Sequence, residues 1–334
     1  MKKLLLLAVV LLATVQTTLR AQADDKRMEE LKKAAAAKNT NTEGWVRGGG
    51  IGLDLAQLAL FNPQVGAGQN RIGIGGVATV FFNYKKDQIS WDNIGSMQLA
   101  VQKIGKTNPY QKSLDVLRLS SKVGRKLSDK MYASMLGTFV SQVTPTYDGG
   151  NAVGGLGAIL SPFQSNPNQI ALSNFLSPAI IELAPGIDYK YDSHLSLFFS
   201  PFNFKYIIVA DKNIANSSKG AFGTLTDGAG GYKTSRLFFG LGTRATYTNK
   251  FWEDRIAYTG TLSLFTDYLK NFGRIDVDMQ NNFAWNITKN LSLNAVVTLF
   301  YDDDISVQKD NNNGKLAPAL SVTQAIYLKY NYLF

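Results

Sequence analysis

The last nine residues of the chain alternate. Ile326, Leu328, Tyr330, Tyr332 and Phe334 fall on every second position, and Lys329 and Asn331 stand between them. A period of two is that of a β-strand with one face in an apolar medium and the other in a polar one. The pattern returns upstream. Leu291, Leu293, Ala295, Val297, Leu299 and Tyr301 share one face, opposed by Ser292, Asn294, Thr298 and Asp302. Ile275, Val277, Met279, Phe283, Trp285 and Ile287 oppose Arg274, Asp276, Asp278, Gln280 and Asn282. Leu237, Phe239 and Leu241 oppose Arg236 and Arg244. The alternation predicts strands at 44–61, 71–84, 88–104, 112–127, 130–144 and 174–191. It predicts six more at 194–210, 232–250, 253–270, 272–287, 290–304 and 318–334.

The connections sort by length. Tight turns are expected at 84–88, 127–130, 191–194 and 288–290, with a slightly longer one at 247–253. Long links are expected at 145–173, 211–231 and 305–317. A short link near Asn271-Phe272-Gly273 breaks the rule. An even number of antiparallel strands, with short turns at one end and long loops at the other, defines a transmembrane barrel. The expected fold is therefore all-β: a transmembrane antiparallel β-barrel of about 12 strands. A charge on the lipid face at the bilayer midplane costs about 2–4 kcal/mol, so charged positions belong in the lumen. The lumen-lining candidates are Arg118, Lys122, Lys126, Glu182, Asp188, Lys190, Arg236, Arg244, Arg274, Asp276, Asp278 and Lys329, with Asp267 beside them. Tyr330, Tyr332 and the terminal Phe334 resemble the signal that outer-membrane barrels show to their insertion machinery.

The N-terminus adds the compartment. Lys2 and Lys3 precede an apolar run, and Ala21-Gln22-Ala23 offers a cleavage site, so residues 1–23 read as a secretory signal peptide. The run is too short for a bilayer span, which needs roughly 20 apolar residues. Residues 24–43 are expected to form a helical periplasmic leader, because Ala34, Ala35, Ala36 and Ala37 favour helix and acidic residues precede basic ones. Its alternatives are a lumen plug or a docking helix. The barrel takes 44–334. With no cysteine, disulfides, thiolate catalysis and cysteine metal sites are excluded. Gly reaches 30 against 9 Pro, and 19 Phe with 15 Tyr suit aromatic girdles. The formal charge of +10 falls by three when Lys2, Lys3 and Arg20 leave with the signal. No compact basic cluster interleaves with aromatics, so no nucleic-acid partner is expected. The expected location is the outer membrane of a Gram-negative bacterium. The expected partners are outer-membrane lipid, lipopolysaccharide, the barrel-assembly machinery during insertion and, as a further candidate, an envelope protein.

Several segments, taken in order, carry a resemblance. They are Gly44-Trp45 with Gly48-Gly49-Gly50, Phe82-Asn83-Tyr84-Lys85-Lys86, Ser90-Trp91-Asp92-Asn93 and Asn174-Phe175-Leu176-Ser177-Pro178. Gly186-Ile187-Asp188-Tyr189-Lys190, Leu197-Phe198-Phe199-Ser200-Pro201, Gly220-Ala221-Phe222-Gly223 and Tyr301-Asp302-Asp303-Asp304 follow. Together they resemble a Bacteroidetes-type outer-membrane protein family of unknown function. The resemblance implies an outer-membrane barrel and supplies no catalytic residues.

The chemistry is sparse. His194 is the one histidine, in Asp192-Ser193-His194, where a tight turn is expected. Triad members converge in space rather than follow one another, so no catalytic residue is assigned and no enzyme is expected. The densest oxygen-ligand set, Asp302, Asp304 and Asp310, is a weak metal candidate. Counted from Asp310, Gly314 comes one position early for an EF-hand loop and Ser321 replaces its closing glutamate. No metal or cofactor is expected. The lumen charges admit an anion-favouring pore or internal ion pairs of Arg236, Arg244 and Arg274 with Asp276, Asp278 and Glu182. The 145–173 segment either folds inward or stays outside. Three functions follow in order: a channel or transporter for a small solute or lipid-like molecule, a non-conducting subunit of a larger outer-membrane assembly, and a barrel enzyme.

Overall fold

The computed structural model describes residues 43–58, 71–105, 110–147, 171–220, 222–270, 272–288, 290–302, 307–308, 316–317 and 320–333. The signal peptide and leader helix expected within 1–43 lie almost wholly outside that set. The strands are β1 (Gly44–Leu58), β2 (Arg71–Lys86), β3 (Ile89–Ile104), β4 (Tyr110–Lys126), β5 (Met131–Ser141), β6 (Ala179–Lys190) and β7 (Leu195–Ile208). They continue as β8 (Ser235–Phe251), β9 (Ile256–Asp267), β10 (Asp276–Asn286), β11 (Leu291–Tyr301), β12 (Val307–Gln308), β13 (Leu316–Ala317) and β14 (Ser321–Leu333). One short helix, α1 (Lys212–Ser217), lies between β7 and β8. Among the described residues, twelve strands close a barrel in the order β1-β14-β11-β10-β9-β8-β7-β6-β5-β4-β3-β2, while β12 and β13 pair separately. Every barrel ladder is antiparallel, and Leu53 of β1 stands opposite both Gly76 of β2 and Tyr330 of β14.

Connection length sorts as the sequence predicts. The links 87–88, 127–130, 191–194, 252–255 and 287–290 share one end with the start of β1 and the end of β14. The links 59–70, 105–109, 142–178, 209–234, 268–275 and 302–320 share the other. The expected sixth strand began at 174, but β6 starts at Ala179. Residues 173–177 leave the ladder and bridge back, Phe175 to Gln142 and Ser173 to Thr146. Asp115, almost fully buried, holds this rim. Its carboxylate accepts from the Val143 and Thr144 backbone N–H groups, both at 2.9 Å, and from Lys112 Nζ at 2.7 Å.

The exterior is apolar. Ile51, Leu53, Ile74, Val80, Phe82, Met97, Leu119, Met135, Leu183, Phe199, Phe204, Leu237, Phe283, Leu293 and Leu328 are all exposed. Such a surface is stable against hydrocarbon and unstable in water, which makes this a transmembrane barrel. Aromatic rings collect at both rims. Trp45 packs on Tyr84 and Trp91 at 5.2 and 5.7 Å near the turn end, where Tyr258 also packs on Phe283 at 4.8 Å. Phe239 gathers Phe204 at 4.7 Å and Tyr268 at 5.4 Å near the loop end.

One irregularity decides which residues enter the lumen. The β7–β8 register shifts between Ser200 and Asn203, so Pro201-Phe202 carries one extra residue. Proline cannot donate to the ladder, and a bulge is where a sheet tolerates it. Before the bulge the inward set is Ser196, Phe198 and Ser200; after it, Asn203, Lys205 and Ile207. Phe202, Phe204 and Tyr206 are thereby left exposed on the outside. The chain thus stays in the barrel wall up to Ile208.

A small apolar cap packs at the loop end beside β7 and β8. Val209, Ile214 and Ala215 are fully buried, with Ala171, Phe222 and Tyr232 packed on them. Asp211 caps α1, accepting from the Asn213 and Ile214 backbone N–H groups. Asp227 fastens the far side. It takes Lys212 Nζ at 2.9 Å and the Ala229 and Gly231 backbone N–H groups at 2.9 Å each. The Lys212 ammonium first, then those two amides, hold its carboxyl down to about 2.

Candidate lumen wall

The inward faces of β4 to β9 carry five of the twelve charged candidates along one stretch of wall. Lys122 Nζ pairs with Asp188 Oδ1 at 2.6 Å, and the other Asp188 oxygen accepts from Ser134 Oγ. Lys122 also lies 5.4 Å from the Phe198 ring centre and keeps 36% side-chain exposure, so the pair stands at the inner surface of the wall. Glu182 accepts from Asn203 Nδ2 at 2.8 Å. Lys205 stands opposite Glu182 in the β6–β7 register, yet it turns over the Phe238 ring at 5.1 Å instead of pairing. Arg236 covers the same ring at 4.0 Å and donates to the Gly223 carbonyl at 3.1 Å. Arg244 donates from Nε to Ser263 Oγ at 3.2 Å. Cation–π contacts of this kind hold a charge in place without neutralising it.

Inward glycines shape the wall. A side chain at Gly186 would meet the Phe199 backbone carbonyl oxygen first and then the Phe198 ring, with Cε2 at 2.9 Å and Cζ at 3.0 Å from that Cβ position. At Gly240 it would meet the Thr266 backbone carbonyl oxygen first and then the Phe265 ring at 2.9 Å. The two rings are recessed into the wall rather than projecting across the lumen.

The remaining candidates are dispersed. Lys126 sits at the turn rim with Asp129 at 2.8 Å, and Lys190 lies there over Tyr132 at 4.4 Å. By register Arg118 stands opposite Ser96, Asp278 opposite Ser263 and Asp276 opposite Phe265. All three have partners, as does Arg274, which is exposed in the link before β10. Asp267 closes β9 and accepts from the Leu269 N–H at 2.9 Å. Lys329 stands opposite Ser292 and Asp54 along the backbone. The internal pairing expected for Glu182 and Arg244 does not form: the first binds Asn203 and Thr138, the second Ser263. Inside the wall Asp188 pairs with Lys122. Geometry explains the difference, since Lys122 crosses only the β5 strand to reach Asp188 while Arg244 has no acidic residue directly opposite it.

Sequence reading missed Lys205, Asn203 and Phe238. Asn203 and Lys205 lie in β7, which loses its alternation at Pro201-Phe202, and that proline was the signal; Phe238 is an apolar residue on the face of β8 that carries Arg236 and Arg244. The segment 145–173, for which an inward and an outside position were both expected, lies mainly outside the described residues; the β7–β8 link brings Gly223 against Arg236 and Ile207. Asp302 is buried just past β11, while Asp304 and Asp310 lie outside the described residues. Tyr330 is exposed on the exterior; Tyr332 lies in β14 and Phe334 outside the described residues. His194 lies in the exposed turn 191–194. Its Nδ1 is 3.1 Å from Ser193 Oγ and 3.9 Å from Asp192 Oδ1. Asp192 is spent on that turn, accepting the His194 and Leu195 backbone N–H groups, and those bonds lower its pKa.

Residues 55–147 match a family described as Protein of unknown function (DUF3078). No curated protein matches the chain. Among solved structures, the chain resembles the translocator domain of autotransporter NalP from Neisseria meningitidis. The identity is 8%, coverage is 93% of this chain and 98% of that one, and the TM-score is 0.37. It also resembles the COG4313 outer membrane channel from Pseudomonas putida F1, at 9% identity, 88% and 96% coverage and a TM-score of 0.42. The β domain of the Bordetella autotransporter BrkA gives 9%, 85%, 98% and 0.34. At these scores nothing about activity transfers from them.

Proposed function

We propose that the barrel sits in the outer membrane of a Gram-negative bacterium and passes small solutes through its lumen, anions in preference to cations. The signal peptide, the apolar exterior and the two aromatic rims support the location. Lipid, lipopolysaccharide and the barrel-assembly machinery are its proposed partners, and the resemblance to a Bacteroidetes-type family is carried with this reading. One observation carries the channel function. Arg244 and Lys205 face the lumen with no carboxylate partner among the described residues. Fixed cations on a low-dielectric wall raise the local concentration of anions. We propose no enzymatic role, since the one histidine lies in an exposed turn.

A second reading, a sealed barrel within a larger assembly, is favoured by Asn294, Ala284 and Val296. They face inward, yet are at most 1% exposed. Reversal potential in a chloride salt gradient across a planar bilayer separates the two. Anion preference that inverts in the Lys205→Glu, Arg244→Glu double variant is the expected result. Silence of the correctly folded full chain would reject the channel.

A further inference from the structure

The inner wall holds a row that ion passage alone does not require. Arg244 stands directly opposite Phe198 across β7–β8 and opposite Ser263 across β8–β9. Phe265 lies two residues beyond Ser263 on the same inward face. Side chains directly opposed on adjacent strands have Cβ atoms about 4.5–5.5 Å apart, and same-face neighbours on one strand lie roughly 7 Å apart. All three side chains are partly exposed. Each ring lies against an inward glycine, Phe198 at Gly186 and Phe265 at Gly240. The guanidinium is pinned by one bond, Nε to Ser263 Oγ, and its two terminal NH₂ groups have no acceptor among the described residues.

We propose that Phe198, Arg244 and Phe265 form a binding subsite for an organic anion that carries a planar apolar ring, of which an aromatic carboxylate is the simplest case. The proposal rests on the channel reading and names the solute class. A carboxylate takes the pair of terminal NH₂ groups as a bidentate partner. The ligand ring meets the recessed phenylalanines in offset or edge contact. Small aliphatic anions use the guanidinium and leave the rings idle. Neutral rings use the phenylalanines and leave the charge unmet. A chloride or phosphate path would need the arginine and gain nothing from two phenylalanine rings on the same inward face.

Equilibrium dialysis of labelled benzoate against the folded full-length protein in detergent, at low salt, tests this. Acetate and benzyl alcohol are the comparisons. Benzoate is expected to bind more tightly than either. Arg244→Gln should weaken benzoate about tenfold. Phe198→Leu and Phe265→Leu should each weaken it about threefold to tenfold and leave acetate unchanged. Retained folded-form gel mobility qualifies each variant; a variant that loses it is replaced by the milder Phe198→Met or Phe265→Met. Acetate binding as tightly as benzoate, or benzoate binding insensitive to Arg244 or to both phenylalanines, overturns the subsite. Chloride conductance of the same preparation is scored separately. Conductance without benzoate binding would remove the subsite and keep the channel; benzoate binding without conductance would keep the subsite and remove the channel.

Discussion

At the residue scale two carboxylates, Asp115 at the loop rim and Asp227 in the cap, each gather a lysine and two backbone N–H groups. The Lys112–Asp115 pair has side-chain exposures of 5% and 2%. Removing one partner of a buried pair leaves the other charge uncompensated, at a cost of about 3–5 kcal/mol. Asp115→Ala is therefore expected to lower the unfolding free energy of the refolded barrel, read from its urea titration, by that margin. A surface control, Asp129→Ala, should barely move it, because the Lys126–Asp129 pair is exposed. Asp227 makes a pH-dependent prediction. Its folded-state pKa of about 2 lies below the ordinary 3.8. A depressed carboxyl contributes its stabilisation above the unfolded value and loses it as pH falls through the folded one. The cap fastening should thus hold at pH 4 and release near pH 2. Titrating the Ala229 and Gly231 amide resonances checks it, and a midpoint near 3.8 would mean the fastening does not form. Neither cluster was legible in the sequence. Asp115 and Thr144 stand far apart along the chain, and nothing in local pattern says that a strand end will curl back onto one aspartate.

Elements were legible almost throughout, because burial against lipid imposes a strict period of two. All twelve expected barrel strands are present. Where the period breaks, inward and outward assignments fail, and the break in β7 has a direct test. The chain contains no cysteine, so single cysteines can be introduced on a clean background. Ser196→Cys, Phe198→Cys and Lys205→Cys, all partly exposed on the inward face, should react with a charged, membrane-impermeant thiol reagent. Phe199→Cys, Phe202→Cys and Phe204→Cys should be protected in a bilayer. The reactive positions thus change from even to odd across Pro201-Phe202. Uninterrupted even reactivity through 206 would mean that the bulge is absent and that Lys205 faces lipid. The same bulge explains why the candidate site was only half legible: Lys122, Asp188 and Arg244 follow from alternation, whereas Lys205 depends on one inserted residue.

For the whole molecule, the exterior sets how the barrel sits in a bilayer. The chain has four tryptophans, and all stand near the turn end: Trp45 in β1, Trp91 in β3, Trp252 in the β8–β9 turn and Trp285 in β10. They are exposed by 60%, 41%, 66% and 47%. Tryptophan prefers the membrane–water interface, where its ring meets hydrocarbon and its N–H meets water or a polar neighbour. Trp91 already donates to Ser121 Oγ at 2.8 Å, which suits a ring at the hydrocarbon boundary. The loop-end rim carries phenylalanine and tyrosine instead, so tryptophan emission reports one interface alone. Lipids brominated near the glycerol end of the acyl chain are therefore expected to quench it more than lipids brominated near the bilayer centre. Trp252, in the turn itself, should be the least quenched when the other three are replaced by phenylalanine. Stronger quenching from the centre would move the turn-end rim into the hydrocarbon. It would also carry the exposed turn charges Asp129, Lys130, Asp192 and Asp254 toward it, at a cost that isolated charges in hydrocarbon do not recover.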